Sequence, residues 1–121
     1  MIATSQTLDL PYPTLPLRSN HRHHWHTRAR ITAEIRGQSA WIAKAALRPV
    51  VGPVTVTLLW CVTDKRIRDA GAGAPTLKAV IDGLVDAGIL PADDDSVVVA
   101  ETYRVVRGTY RGVRVLIEAA S

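Results

Sequence analysis

The sequence predicts an α+β domain, a single mixed sheet with two helices packed on it, and three observations predict that class. The chain has 121 residues, the size of one domain with one core. Its apolar residues make up 47% of the total and include no Phe, so Val, Ile, Leu and Ala must fill that core, with the three Trp as its large elements. Their spacing alternates between periods of two and about 3.6 residues in the order β-α-β-α-β-β. That order favours one sheet with helices laid on it over a doubly wound fold. No internal repeat or linker divides the chain, so residues 1–121 are read as a single domain.

The elements follow in order. Residues 1–6 are expected to fray. Residues 7–13 read as a short strand, where Pro11 and Pro13, with Pro16 beyond, force an extended, edge-like path. Residues 18–26 read as a loop. Thr27 then caps a helix whose Ile31, Ile35, Ile42 and Ala46 recur at helical spacing until Pro49 stops it, with Gly37 in its middle. Residues 53–62 form a strand with Val54, Val56, Leu58 and Trp60 on one face and Thr55, Thr57, Leu59 and Cys61 on the other. Both faces are apolar enough for a central strand. The segment DKRIRDAGAGA, residues 64–74, reads as a loop. Pro75 and Thr76 open a second helix with Leu77, Val80, Ile81 and Leu84 inward, and Gly88 suits its left-handed C-cap. Residues 96–106 read as a strand, 107–112 as a hairpin turn and 113–118 as the returning strand, with Arg104 and Arg114 lending the hairpin a basic face.

Charge is unevenly distributed. The net charge is +4, which favours polyanionic partners. Before residue 49, Arg18, Arg22, Arg28, Arg30, Arg36, Lys44 and Arg48 face only Asp9 and Glu34. Between residues 82 and 101 the pattern inverts, with Asp82, Asp86, Asp93, Asp94, Asp95 and Glu101 and no basic residue. Such an island reads either as an acidic solvated loop or as carboxylates bridged to phosphates by a divalent cation. Cys61 is the one cysteine, so no intrachain disulfide forms, and its apolar surroundings mark it as a packed small hydrophobe. With no charged start plus apolar stretch for a signal peptide, and no apolar run of ~18 residues, a soluble cytoplasmic protein without a membrane partner is expected. Nothing resembles a nucleotide-phosphate loop, a nucleophile triad or a coiled-coil repeat.

Chemistry concentrates at Asp69, Lys78 and the run Asp93, Asp94, Asp95. Asp69 and Asp95 flank a helix that links two strands, so both carboxylates are expected at one sheet end. Lys78, Asp82 and Asp86 share a helix face, where Lys78 either stabilises a phosphate transition state or simply pairs with Asp82 at i,i+4. Oxygen ligands of this kind suit Mg²⁺, with Mn²⁺ as a substitute. His21, His23, His24 and His26 surround Trp25 without a cysteine partner, a poor zinc pattern. They read as a phosphate-touching loop, with Trp25 expected to pack in the core and stacking against DNA as the alternative.

The stretch Arg66-Ile67-Arg68-Asp69, then Pro75-Thr76-Leu77-Lys78-Ala79-Val80-Ile81-Asp82-Gly83-Leu84, then Ala87-Gly88 and Asp93-Asp94-Asp95, resembles the central signature of RusA-like Holliday-junction resolvases of the phage and prophage type. Leu10-Pro11-Tyr12 and Ser19-Asn20-His21-Arg22 are similar to that family's opening strand and loop, so the likeness covers most of the chain. The resemblance implies a homodimeric, Mg²⁺-dependent endodeoxyribonuclease that resolves branched DNA in recombination and repair. It implies Asp69, Lys78 and Asp95 as catalytic residues, with metal held by Asp69 and Asp95 and assisted by Asp94 and Asp82. Asn20, Arg22, Arg66, Arg68, Arg107 and Arg111 are the expected DNA contacts. One departure stands out: where the family pattern is D-x-D-N, this chain has Asp69-Ala70-Gly71-Ala72. Gly71 supplies no ligand, so Asp82, Asp93 or Asp94 must replace it, or the protein binds branched DNA with weakened or absent cleavage.

Overall fold

The structure, a computed structural model, describes residues 5–20, 22 and 24–120. His21 and His23 of the histidine cluster, and residues 1–4 of the expected frayed end, lie outside the described residues. The elements are β1 (Ser5–Leu10), α1 (Trp25–Ala46), β2 (Val54–Val62), a short 3₁₀ helix (Ala70–Gly73), α2 (Ala74–Asp86), β3 (Val98–Arg107) and β4 (Gly112–Ala119). They form a single mixed sheet with two helices, the expected α+β class. Among the described residues no helix is long and apolar enough to cross a membrane.

The sheet order is β1-β4-β2-β3. Strand β2 is central, as its two apolar faces predict: it pairs antiparallel with β4 on one side and parallel with β3 on the other. Val54, Val56, Leu58 and Trp60 are buried on one face, and Thr57 and Cys61 on the other. The expected hairpin is corrected here, because β3 and β4 do not pair. Strand β4 inserts between β1 and β2, and so residues 108–111 must cross the end of β2, a gap of about two strand spacings, roughly 10 Å. Gly108 N–H donates to the Val62 carbonyl at 3.0 Å and fastens that crossing.

Further corrections concern the ends and the tryptophans. Ser5 and Gln6 do not fray; they pair with Glu118 and Ile117 in β1–β4, and β1 ends at Leu10 rather than continuing through the prolines. Helix α1 starts at Trp25, before Thr27, with the His24 ring accepting from the His26 N–H at 3.2 Å. Its buried residues are Ile35, Ser39 and Ala43, spaced by four, so Trp25 and Trp41 fall on the outer side and stand 66% and 81% exposed. Only Trp60 of the three is a core element.

Helix α2 is the more deeply buried of the two helices. Leu77, Val80, Ile81 and Leu84 are essentially fully buried, and Gly88, at φ +77°, provides the left-handed turn that ends it. The α1–α2 crossing is close: a Cβ on Gly83 would lie 2.5 Å from the Arg36 carbonyl oxygen. A glycine there lets the two backbones approach.

Candidate functional site: an arginine cleft and an acidic turn

Two charged regions carry the expected chemistry, and the fold assembles them differently. The first is a cleft of about 490 Å³ at the carboxyl end of β2. Its walls come from three connections. The β1–α1 loop contributes Pro13, Thr14 and Arg18; the segment after β2 contributes Asp64, Arg66, Ile67 and Arg68; the crossing between β3 and β4 contributes Arg111. Trp60 and Val62, from β2 itself, also line it.

Local bonds fix those walls. The Thr76 hydroxyl, buried at the start of α2, donates to the Leu17 carbonyl at 2.6 Å and accepts from the Leu17 N–H at 3.3 Å. Ser19 N–H donates to the Ala72 carbonyl at 3.1 Å, so the β1–α1 loop lies along the 3₁₀ helix and carries Arg18 to the cleft. The guanidinium carbons of Arg18 and Arg68 sit 5.3 and 5.4 Å from the Trp60 ring centroid, within cation–π range.

Asp64 organises the arginines. Its Oδ1 accepts from Arg68 Nη1 at 2.6 Å and from the Arg66 N–H at 3.0 Å, and its Oδ2 accepts from Arg68 Nη2 at 3.0 Å. The Arg68 fork, followed by the Arg66 backbone, holds the Asp64 carboxyl well below the usual carboxylate range. Arg68 also donates to the Arg66 carbonyl at 3.1 Å, and Arg107 Nη2 donates to the same oxygen at 2.7 Å. A guanidinium has five N–H donors. Among the described residues Arg68 commits three of them, two to Asp64 and one to Arg66, and its side chain is only 11% exposed.

The second region is the acidic turn beside α2. Lys78 Nζ donates to Asp82 Oδ1 at 3.0 Å and to Asp93 Oδ2 at 2.9 Å. The i,i+4 pair expected between Lys78 and Asp82 is present, and it extends to the aspartate run. Hydrogen bonding to Asp93, then to Asp82, raises the Lys78 pKa, while Lys78 lowers that of Asp93. Asp86, on the same helix, instead takes a two-pronged hydrogen bond from Arg36 of α1, at 2.6 and 2.9 Å, which lowers its pKa. Asp94 accepts from the Ser96 N–H at 3.0 Å and from the Ser96 hydroxyl. Asp69 caps the 3₁₀ helix through the Gly71 N–H at 3.0 Å.

These positions separate the predicted residues into two groups. Arg66, Arg68 and Arg111 line the cleft; Arg107 braces its edge through the Arg66 carbonyl. Asn20 and Arg22 are exposed in the β1–α1 loop and do not line it. Asp69, Lys78, Asp82, Asp94 and Asp95 are all outside the cleft. Asp69 follows β2 and caps the 3₁₀ helix, while Asp95 lies in the turn before β3.

The hard carboxylate oxygens suit Mg²⁺, which takes only one or two of them beside waters and phosphate oxygens. Among the described residues no group of three or more His, Cys, Asp or Glu is gathered as for a metal ion. Asp82 and Asp93 converge on an ammonium group, and Asp69 and Asp94 turn onto their own loops. The acidic island thus draws cations from the protein itself, Lys78 and Arg36.

Sequence reasoning missed Arg18, Asp64 and Trp60 as parts of one site. For Asp64 a signal existed, since acceptor and donors follow at i, i+2 and i+4 in Asp64-Lys65-Arg66-Ile67-Arg68. Trp60 and Arg18 meet only through tertiary packing. Compared with models of known protein families and with curated proteins, the chain matches none.

Proposed function

We propose that this protein binds branched DNA in the manner of the RusA-like resolvases that its sequence resembles, using the arginine cleft as its phosphate-contacting surface. The observation that carries this reading is the convergence of Arg18, Arg66, Arg68 and Arg111 on one concave site containing a single acid, Asp64. Backbone contacts of this kind bind through phosphate charge and position rather than base sequence. Asn20, Arg22 and Arg107 extend the contact surface. The working form is a homodimer in the cytoplasm of a bacterial or phage-infected cell, because a C2 pair presents two equivalent sites to a symmetric junction.

A second reading keeps Mg²⁺-dependent or Mn²⁺-dependent cleavage, with Asp69 and Asp95 as ligands, Asp94 and Asp82 assisting, and Lys78 near the reacting phosphate. The contact between Lys78 and Asp93 favours it, because the resemblance implies a lysine beside the aspartate run.

One experiment separates the two. A synthetic four-way junction and a duplex of equal length are titrated with protein at two salt concentrations, with and without Mg²⁺, and the products are analysed for nicks. Tight, salt-sensitive, junction-selective binding without cutting is the expected result. Paired symmetric nicks by the wild type would establish the second reading; equal affinity for junction and duplex would overturn both. Gly71→Asp is the informative variant. A Cβ at Gly71 meets only Asp69 Oδ1, at an ordinary 3.4 Å, so a second carboxylate fits beside the first. Gain of Mg²⁺-dependent nicking by this variant alone is expected.

A further inference from the structure

Ile67 has no place in the chemistry above. It sits between Arg66 and Arg68 on the lining of the cleft and is 97% exposed, the most exposed of the large apolar side chains among the described residues. A β-branched apolar group projecting from a basic segment gains nothing from water and nothing from a phosphate. Its chemical complement is the apolar face of a base.

The cleft beside it has the dimensions of a small-molecule pocket, within the usual range of roughly 300–1,000 Å³. One nucleotide fits such a volume, whereas the paired and stacked bases of a duplex do not enter it. Guanidinium planes and apolar groups stack on unpaired bases, and arginine forks take their phosphates. Here Arg18 and Arg68 are held at the Trp60 ring, and Arg68 keeps two N–H donors uncommitted among the described residues. Since its side chain is only 11% exposed, Arg68 is reached by a group that enters the cleft rather than by a phosphate on the surface of a helix.

We infer that the cleft admits one unstacked nucleotide of a DNA strand at a branch point, and that Ile67 wedges into the stack beside it. The inference rests on the DNA-binding reading and adds the source of branch selectivity. Apolar wedges of this type partly unstack a base step, which is cheapest where pairing is already interrupted. Branched DNA then binds better than duplex because its bases at the branch are already loosened.

The test uses a four-way junction with 2-aminopurine at the branch point, a base whose fluorescence rises on unstacking. Saturating wild-type protein is expected to raise that fluorescence severalfold, and not to raise it when the probe lies in the middle of an arm. Ile67→Ser, which changes a fully exposed side chain, is expected to abolish most of the rise and to cut the preference for junction over duplex about tenfold. A free nucleoside 3′,5′-bisphosphate is expected to compete for the wild-type cleft at high concentration. Junction-selective binding with no fluorescence change, or with full preference retained in Ile67→Ser, would overturn the inference while leaving the DNA-binding reading intact. Failure to bind any junction would overturn that reading as well.

Discussion

At the carboxyl end of β2 one acid organises several cations, whereas beside α2 one cation organises several acids. Asp64 fixes the Arg68 fork and the backbone of Arg66. Lys78 bridges Asp82 and Asp93. The minority charge sets the geometry in each case, because like charges left alone repel and only an opposite charge draws them to one point. The surplus differs, however. The cleft keeps arginine donors available to a polyanion, while the carboxylates beside α2 are largely answered by Lys78, Arg36 and Ser96. That asymmetry is why the cleft carries the proposed function.

The strongest way to break the comparison is Arg68→Glu. It removes the fork, places a second acid beside Asp64, and is expected to lower junction affinity on the order of 100-fold in a salt titration, with a shallower salt slope. A loss below about threefold would mean that the contact surface lies elsewhere.

Gly83→Ala attacks the acidic side alone. Its Cβ would meet the Arg36 carbonyl oxygen at 2.5 Å and the Ser39 Cβ at 3.0 Å, so α1 and α2 must separate. Overpacking of this kind costs about 1–3 kcal/mol, read as a lower melting temperature, while junction binding at low temperature persists. Loss of binding in the folded variant would show that the α1–α2 crossing supports the cleft.

Lys78→Met gives the smallest effect and a distinct pH signature. The Asp93 pKa is depressed in the folded protein, so its contribution is present above the unfolded value of about 3.9 and is lost as pH falls through the lowered value. The Lys78 pKa is raised, so its contribution is present below about 10.4 and is lost as pH rises through the raised value. Wild type is expected to melt slightly above Lys78→Met across the window between those limits, and the gap to close at its acid and alkaline ends. A gap that stays constant with pH would assign Lys78 to packing by its aliphatic stem.

Much of the fold was legible in the sequence because it follows from local periodicity. The two apolar faces of residues 54–62 fixed a central strand, and the apolar spacing of Leu77, Val80, Ile81 and Leu84, with Gly88 beyond, fixed α2 and its end. The tryptophans were misread because α1 has a narrow buried stripe, through Ile35, Ser39 and Ala43, and aromatic character does not reveal which side of such a helix faces inward. The hairpin was misread because closeness in sequence suggested pairing. Strand β4 pairs instead with β1 and β2, and that choice depends on partners more than fifty residues away.

That long-range pairing also shaped the site. A β3–β4 hairpin would have left Arg111 at a sheet edge; insertion of β4 on the far side of β2 makes residues 108–111 cross the β2 end and brings Arg111 to the cleft. By itself the sequence determined the two α-helices and four strands, the central strand and the uneven charge, all properties of neighbouring residues or of composition. Tertiary structure alone decided that Arg18, Trp60, Asp64 and Arg111 meet, and that the acidic island finds its cations within the protein. The physical reason is range: periodicity and capping act over a few residues, whereas a cleft is made where distant segments are packed against one sheet end.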